Sequence, residues 1–205
     1  QHLMNGGKQW WAINSVAVNR DSLFNSSGSA VAIGRSLNME NIFFKYGFRL
    51  QKNLIKDLYC APVVLANRSD REAQYLPYPW PYYPLAKPSQ KGLFGELSGN
   101  VLMTFPSSID TLKNGLDKKI LISTSNFSKI LQIPAAITLK EASEKLNPDL
   151  FDQKSQALGV LLKGEFNSAF ENRIPPLKLE NKRISGKSQL MVFSSGSVAE
   201  NQVDK

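Results

Sequence analysis

The sequence holds one cysteine, Cys60, and one histidine, His2, among 205 residues. A single cysteine excludes an internal disulfide and every cysteine-rich zinc site. A single histidine, almost at the start of the chain, excludes a histidine cluster. No apolar run reaches the 18 residues that a membrane-spanning helix needs. Phosphate-cradling loops are absent as well: Gly6-Gly7 lacks the GxxxxGK[ST] spacing, and no GxGxxG follows a strand. A Cys–His nucleophile pair would have to join Cys60 to His2. Cys60 falls between two strand candidates, beside Ala61-Pro62, and reads as a small packed hydrophobe. No catalytic residue, metal ligand or cofactor is expected.

What is present suffices for a core. The chain is 42% hydrophobic and 10% aromatic, too apolar for a disordered segment and long enough for one large domain or two small ones. Lys and Arg number 25 against 17 Asp and Glu, a net +8. The charges are scattered, and the densest groups, Lys118-Lys119 and Lys182-Arg183, are only pairs. No basic stripe interleaved with aromatics appears, so a solvated surface is the reading and no specific nucleic-acid partner is expected. Residues 1–5 read as the last turn of a helix closed by Gly6 and Gly7, and 196–205 as the start of another. The chain reads as a piece of a longer protein.

Between these ends, 8–18 suggests a buried strand, and 20–34, rich in Ser, Asn and Gly, a loop. A short helix is expected over 38–46, with Asn38 as N-cap, Met39, Ile42, Phe43 and Tyr46 on one face, and Gly47 closing it. Strands are expected at 48–51, 61–65, 101–105, 119–123, 158–163 and 190–194. Residues 75–88 interleave Pro77, Pro79, Pro81, Pro84 and Pro88 with aromatics, the pattern of an extended connection or edge strand. Ser197 and Glu200 form a capping-box pattern, Thr138 and Glu141 another, and Asn147-Pro148 ends or restarts a helix. Strand–turn–helix steps at both ends favour an α/β, mixed sheet. Trp10, Trp11, Ile13, Phe43, Leu102, Val160, Leu162, Leu190 and Val192 are the expected sheet core. Trp10 and Trp11 should lie on opposite faces, both buried only if helices cover both sides.

Candidate functional residues fall in two places. Ser194, Ser195 and Ser197, with Asn14, stand where an open α/β sheet presents ligands, at a helix N-terminus; capping alone would also explain the serines. Tyr78, Trp80 and Tyr82 form either a stacking or docking surface or a cover over the sheet. Asp21, Asp57, Asp70, Asp110 and Glu165 stand alone in sequence, as caps and solvated acids do.

The order of segments MNGGKQWWAINSV, LNMENIFFKYGFRLQKNLIKDLYCAPV, YLPYPWPYYPL, FPSSIDTLKNG, GVLLKGEFNSAFENR and LMVFSSGSVAENQV resembles the GldG family over nearly the whole chain. These are gliding-motility-associated ABC transporter auxiliary, or "substrate-binding", components of Bacteroidota. The resemblance implies a largely parallel sheet with helices on both faces, similar to class I glutamine amidotransferases and to the GIFT domain, without the Cys–His–Glu triad. It implies a single extracytoplasmic domain, anchored in the membrane by segments outside this chain, with an ABC permease and an ATP-binding subunit as partners. Where many relatives end the last strand in an SDGD-like acidic pattern, Ser195 and Ser197 stand here. For such an extracytoplasmic protein the resemblance also makes Asp21-Ser22-Leu23 and Asp110-Thr111-Leu112 O-glycosylation signals, on Ser22 and Thr111. The expected function is a non-enzymatic interaction domain of a transporter complex. The alternatives are a solute-binding domain at the sheet's C-terminal edge, and a hydrolase with a serine–lysine or carboxylate site assembled by the fold.

Overall fold

The turn expected at Gly6 opens the structure. A one-turn 3-10 helix, Leu3–Asn5, ends where Gly6 takes φ +85° and returns its N–H to the Leu3 carbonyl. In the computed structural model, residues 1–69, 72–89, 99–171 and 183–200 are described; Asp70, Lys182 and residues 201–205 of the expected last helix lie outside them.

β1 (Gln9–Ala12) and β2 (Val16–Ala17) take up the first apolar run. The stretch expected as loop instead holds a π-helical turn, Ser22–Ser26, and β3 (Ser29–Gly34). Its inward residues are Ala30 and Ala32, both buried, and side chains that small leave a weak alternation signal. α1 (Glu40–Lys45) follows. Its N-cap is Met39 rather than Asn38, which sits left-handed at φ +55° and accepts a hydrogen bond from Ser36. Gly47, at φ +78°, closes the helix as expected. Then come β4 (Phe48–Leu50), β5 (Asn53–Asp57), β6 (Cys60–Ser69), β7 (Glu72–Pro88), β8 (Val101–Leu102), β9 (Ile109–Thr111), β10 (Asp117–Ser123), β11 (Ser128–Gln132) and β12 (Ala135–Thr138). α2 (Lys140–Ser143), a 3-10 turn Pro148–Leu150 capped by the Asn147 side chain, β13 (Ala157–Asn167) and β14 (Ser185–Phe193) complete the frame.

The expected α/β sandwich is not what these elements build. The principal sheet runs β1-β14-β13-β10-β7-β6, with β8 beside β7. Among its ladders between described residues only β1–β14 is parallel. Three smaller sheets, β11-β5, β12-β3-β2 and β4-β9, are antiparallel. A parallel sheet needs a crossover, usually a helix, between neighbouring strands. Here α1 has six residues and α2 four, and neither can cover a sheet face. The protein is mainly β, and the glutamine-amidotransferase-like arrangement is ruled out with it.

The two tryptophans of β1 report the consequence. Trp11 faces inward, 6.1 to 6.4 Å from Phe43, Tyr46 and Phe48. Trp10 faces outward and is 48% exposed, because among the described residues no helix covers that side. Val160, Leu162, Leu190, Val192 and Phe43 are buried in the inner core as expected, with Ile13 and Trp11 packed against it; Leu102 is only half-buried. The 3-10 turn at Leu3–Asn5 lies on β14 where Gly186 has no side chain. A Cβ there would stand 2.1 Å from the Met4 carbonyl oxygen. A second core lies around Trp80, Tyr82, Leu54 and Ile137, and a third around Ile55, Met103, Ile122 and Leu158. Each fully buried large apolar side chain contributes about 1.5–3 kcal/mol.

Candidate functional site

The fold assembles the residues expected at the end of the last strand and then closes them. β1 and β14 run parallel, so Asn14 and Ser194–Ser197 emerge side by side. Asn14 accepts the Gly196 N–H at 2.8 Å. Ser194 donates to the Leu158 carbonyl, and Ser195 to the Thr104 carbonyl at 2.8 Å. The Ser197 hydroxyl accepts the Thr104 N–H at 2.9 Å and meets Ser195 at 2.9 Å. The last turn is a single 3-10 turn, Gly196–Ala199, capped by Ser195. The Ser197–Glu200 capping box does not form; Glu200 reaches Arg20 at 3.4 Å instead. Ser194 and Ser195 are buried. These hydroxyls fasten the strand end to β13 and to the segment before β9, and among the described residues none is hydrogen-bonded to a basic side chain. Nearby, Ser15, Ser107, Ser108 and Asn53 form a second buried network of the same kind.

The aromatic–proline stretch divides in two. Across the β6–β7 ladder Pro62 pairs with Pro79, but Cys60 pairs with Pro84. Four residues, Trp80 to Tyr83, therefore stand against Ala61 alone, a bulge larger than the usual two-against-one. The bulge drives Trp80 (0% exposed) and Tyr82 (1%) into the core, where their rings lie 5.0 Å apart. Neither ring reaches the surface, and Tyr78 is half-buried. The outer half behaves oppositely. Val64 pairs with Pro77 and Ala66 with Tyr75, so these four share one face, and all are exposed, Tyr75 to 71%. Pro77 and Pro79, two apart on β7, turn donor-less nitrogens to the same edge, away from the β6 ladder.

Sequence reading missed a third place. The Glu141 carboxylate accepts from Lys56 Nζ at 2.8 Å and from the Tyr82 hydroxyl at 3.0 Å through one oxygen, and from the Thr138 N–H at 3.1 Å through the other. Lys56 Nζ also sits 4.5 Å above the Tyr82 ring. Burial, reinforced by the Glu141 charge, pushes the Tyr82 hydroxyl far above its ordinary range, so it is a fixed donor and not a base. Beside this trio a cleft of about 160 Å³ is lined by Lys56, Lys129, Glu141, Glu144, Lys145 and Asn147 over Pro81, Leu150 and Phe151. The capping-box spacing of Thr138 and Glu141 was legible. That the same carboxylate also holds two groups from distant strands was not.

The isolated acids find local partners. Asp57 is fully buried and accepts from the Tyr59 N–H, the Ser125 N–H and the Ser125 hydroxyl. Asp21 accepts from Asn25, Asp110 from Gln51 and Glu165 from Ser185. Among the described residues no cluster of three His, Cys, Asp or Glu side chains could hold a metal. Cys60 is half-buried, and burial pushes its thiol up to about 11. Another cleft, about 410 Å³, lies beside α1 over Phe43, Phe44 and Phe48; its rim pairs Glu40 with Lys52 at 3.5 Å and sets Arg49 across the ladder from Asp110. Thr111 is exposed on β9, and Ser22 is half-buried at the start of the π-helical turn.

A family model described as an ABC-type uncharacterized transport system, auxiliary type, matches residues 1–205, the whole chain. The chain belongs to that family. No curated protein and no solved structure matches it. Membership makes this chain an auxiliary component of an ABC-type transport system, consistent with a role outside catalysis.

Proposed function

We propose that this chain is a non-enzymatic interaction domain of an ABC-type transporter complex, and that it docks on the transporter through the outer half of the β6–β7 ribbon. One observation carries the reading. Val64, Ala66, Tyr75 and Pro77, none of them charged, are exposed together on one face of the ribbon in a protein of net charge +8. Contiguous exposed apolar surface marks interaction sites, and an exposed tyrosine supplies contact area at low entropic cost. The prolines on the β7 edge favour docking by that face over addition of a strand. The serines at the sheet edge support the non-enzymatic reading, since they bond backbone carbonyls and one another. The solute-binding alternative at that edge is disfavoured for the same reason: its polar groups are already engaged.

The finer reading follows the segment order. In it the chain is GldG-like, a single domain from a longer Bacteroidota protein, held on the extracytoplasmic side by segments outside this chain and working with a permease and an ATP-binding subunit. Of the two glycosylation signals it implies, Thr111 is the more open. Co-purification of the full-length protein from native membranes tests the proposal. Recovery of the two transporter subunits is expected; recovery of neither overturns it.

A further inference from the structure

We infer that the cleft between β5, β11 and the segment from α2 to Leu150 is a binding site for a phosphate-sized oxyanion. Lys56 of β5 lies directly opposite Lys129 of β11. Opposite residues of an antiparallel pair share a face, so both lysine stems rise from the same side of the ladder, where like charges are destabilising unless compensated. Both side chains are half-buried, on the face that also carries Leu54 and Leu131.

One carboxylate, Glu141, is built in, and its oxygens are committed to Lys56, Tyr82 and the Thr138 N–H. Among the described residues no carboxylate stands within ion-pair distance of Lys129. Lys145 brings a third ammonium to the same cleft. Asn147 lines it too, and because its oxygen accepts the Asp149 N–H, its amide nitrogen is left to donate. With Lys56 and Glu141 cancelling, the other charged residues that line the cleft are Lys129, Lys145 and the exposed Glu144. The cleft, about 160 Å³, is the size for a small anion and not for an extended ligand. Convergent ammonium and amide donors are the chemistry that recognises a phosphate or carboxylate group.

Thermal melts of the chain in inorganic phosphate, acetate and chloride at matched ionic strength test the inference. Phosphate is expected to raise Tm beyond chloride and to saturate. Acetate without effect identifies a phosphate-type ligand, and acetate equal to phosphate a carboxylate one; either supports the site. Lys129→Gln should weaken phosphate binding at least fivefold, and Glu144→Gln should strengthen it. If Lys129→Gln fails to fold, Lys145→Gln, on an exposed turn, carries the same expectation. Phosphate and chloride giving the same curve, or variants that leave the phosphate affinity unchanged, overturn it. These results do not depend on the docking proposal, whose co-purification test leaves the cleft untouched.

Discussion

Tyr82 donates its hydroxyl to Glu141 at 3.0 Å across 59 residues of sequence, and that bond ties the bulge of β7 to the start of α2. Glu141→Ala leaves the Tyr82 hydroxyl and the Lys56 ammonium without their acceptor. Stability should fall by about 2 kcal/mol, the cost of an unsatisfied, largely buried polar group. Tyr82→Phe, which removes only the donor, should cost about 1 kcal/mol. Urea unfolding measures both; a Glu141→Ala midpoint equal to wild type would contradict the arrangement.

Trp80 is fully buried, and its indole N–H has no hydrogen-bond partner among the described residues. Trp80→Ala should cost about 3–5 kcal/mol through the cavity it opens. Trp80→Phe should cost less than half of that, because it also discards the unpaired donor. Trp10→Ala, on the open face, should cost about 1 kcal/mol or less. Equal losses for Trp10→Ala and Trp80→Ala would mean that the sheet is covered on both sides.

Cys60 should be slow to alkylate. With its thiol pushed up to about 11 from an ordinary value near 9, the thiolate at neutral pH is scarcer by about 100-fold. Iodoacetamide should label the folded chain at least that much more slowly than the urea-unfolded chain. The same shift has a consequence for stability. Between pH 9 and 11 the unfolded thiol loses its proton while the folded one keeps it, so stability falls as pH rises through that window. Tyr82, also displaced upward by burial, acts in the same direction at higher pH. Comparable labelling rates for folded and unfolded chain would contradict this.

Thr111 should carry the glycan if the native host glycosylates this chain, since a bulky modification needs an exposed hydroxyl. Intact mass from the native host checks it. The unmodified mass, or a mass shift that survives Thr111→Ala, ends the expectation for that site.

The sequence made local features readable and long-range ones much less so. The glycine turns at Gly6 and Gly47, the Asn147-Pro148 restart and the inward residues of β13 and β14 follow from rules that span a few residues. Sheet direction does not, because pairing partners are set by tertiary packing. The parallel β1–β14 pair joins the two ends of the described chain, where strand–turn–helix steps suggested parallel pairing; the helices expected on both faces did not follow from it. β3 was hidden because its buried side chains are alanines. The serines at the end of β14 were legible as a polar cluster at a strand end. That their hydroxyls are already engaged depends on Thr104 and Leu158, far away in sequence. The bulge that separates Trp80 and Tyr82 from Tyr75 depends on a register slip that no alternation pattern announces. Lys56 and Lys129 became neighbours only through the β5–β11 ladder.

The most direct test of the docking account is co-purification of the full-length protein from native membranes, wild type beside Tyr75→Asp and Val64→Asp. Both positions are exposed, so each variant should melt within a few degrees of wild type. The account predicts that wild type brings down the membrane-spanning and ATP-binding subunits of one ABC-type transporter, and that both variants lose them. Wild type bringing down neither subunit, or variants that retain both, would contradict it.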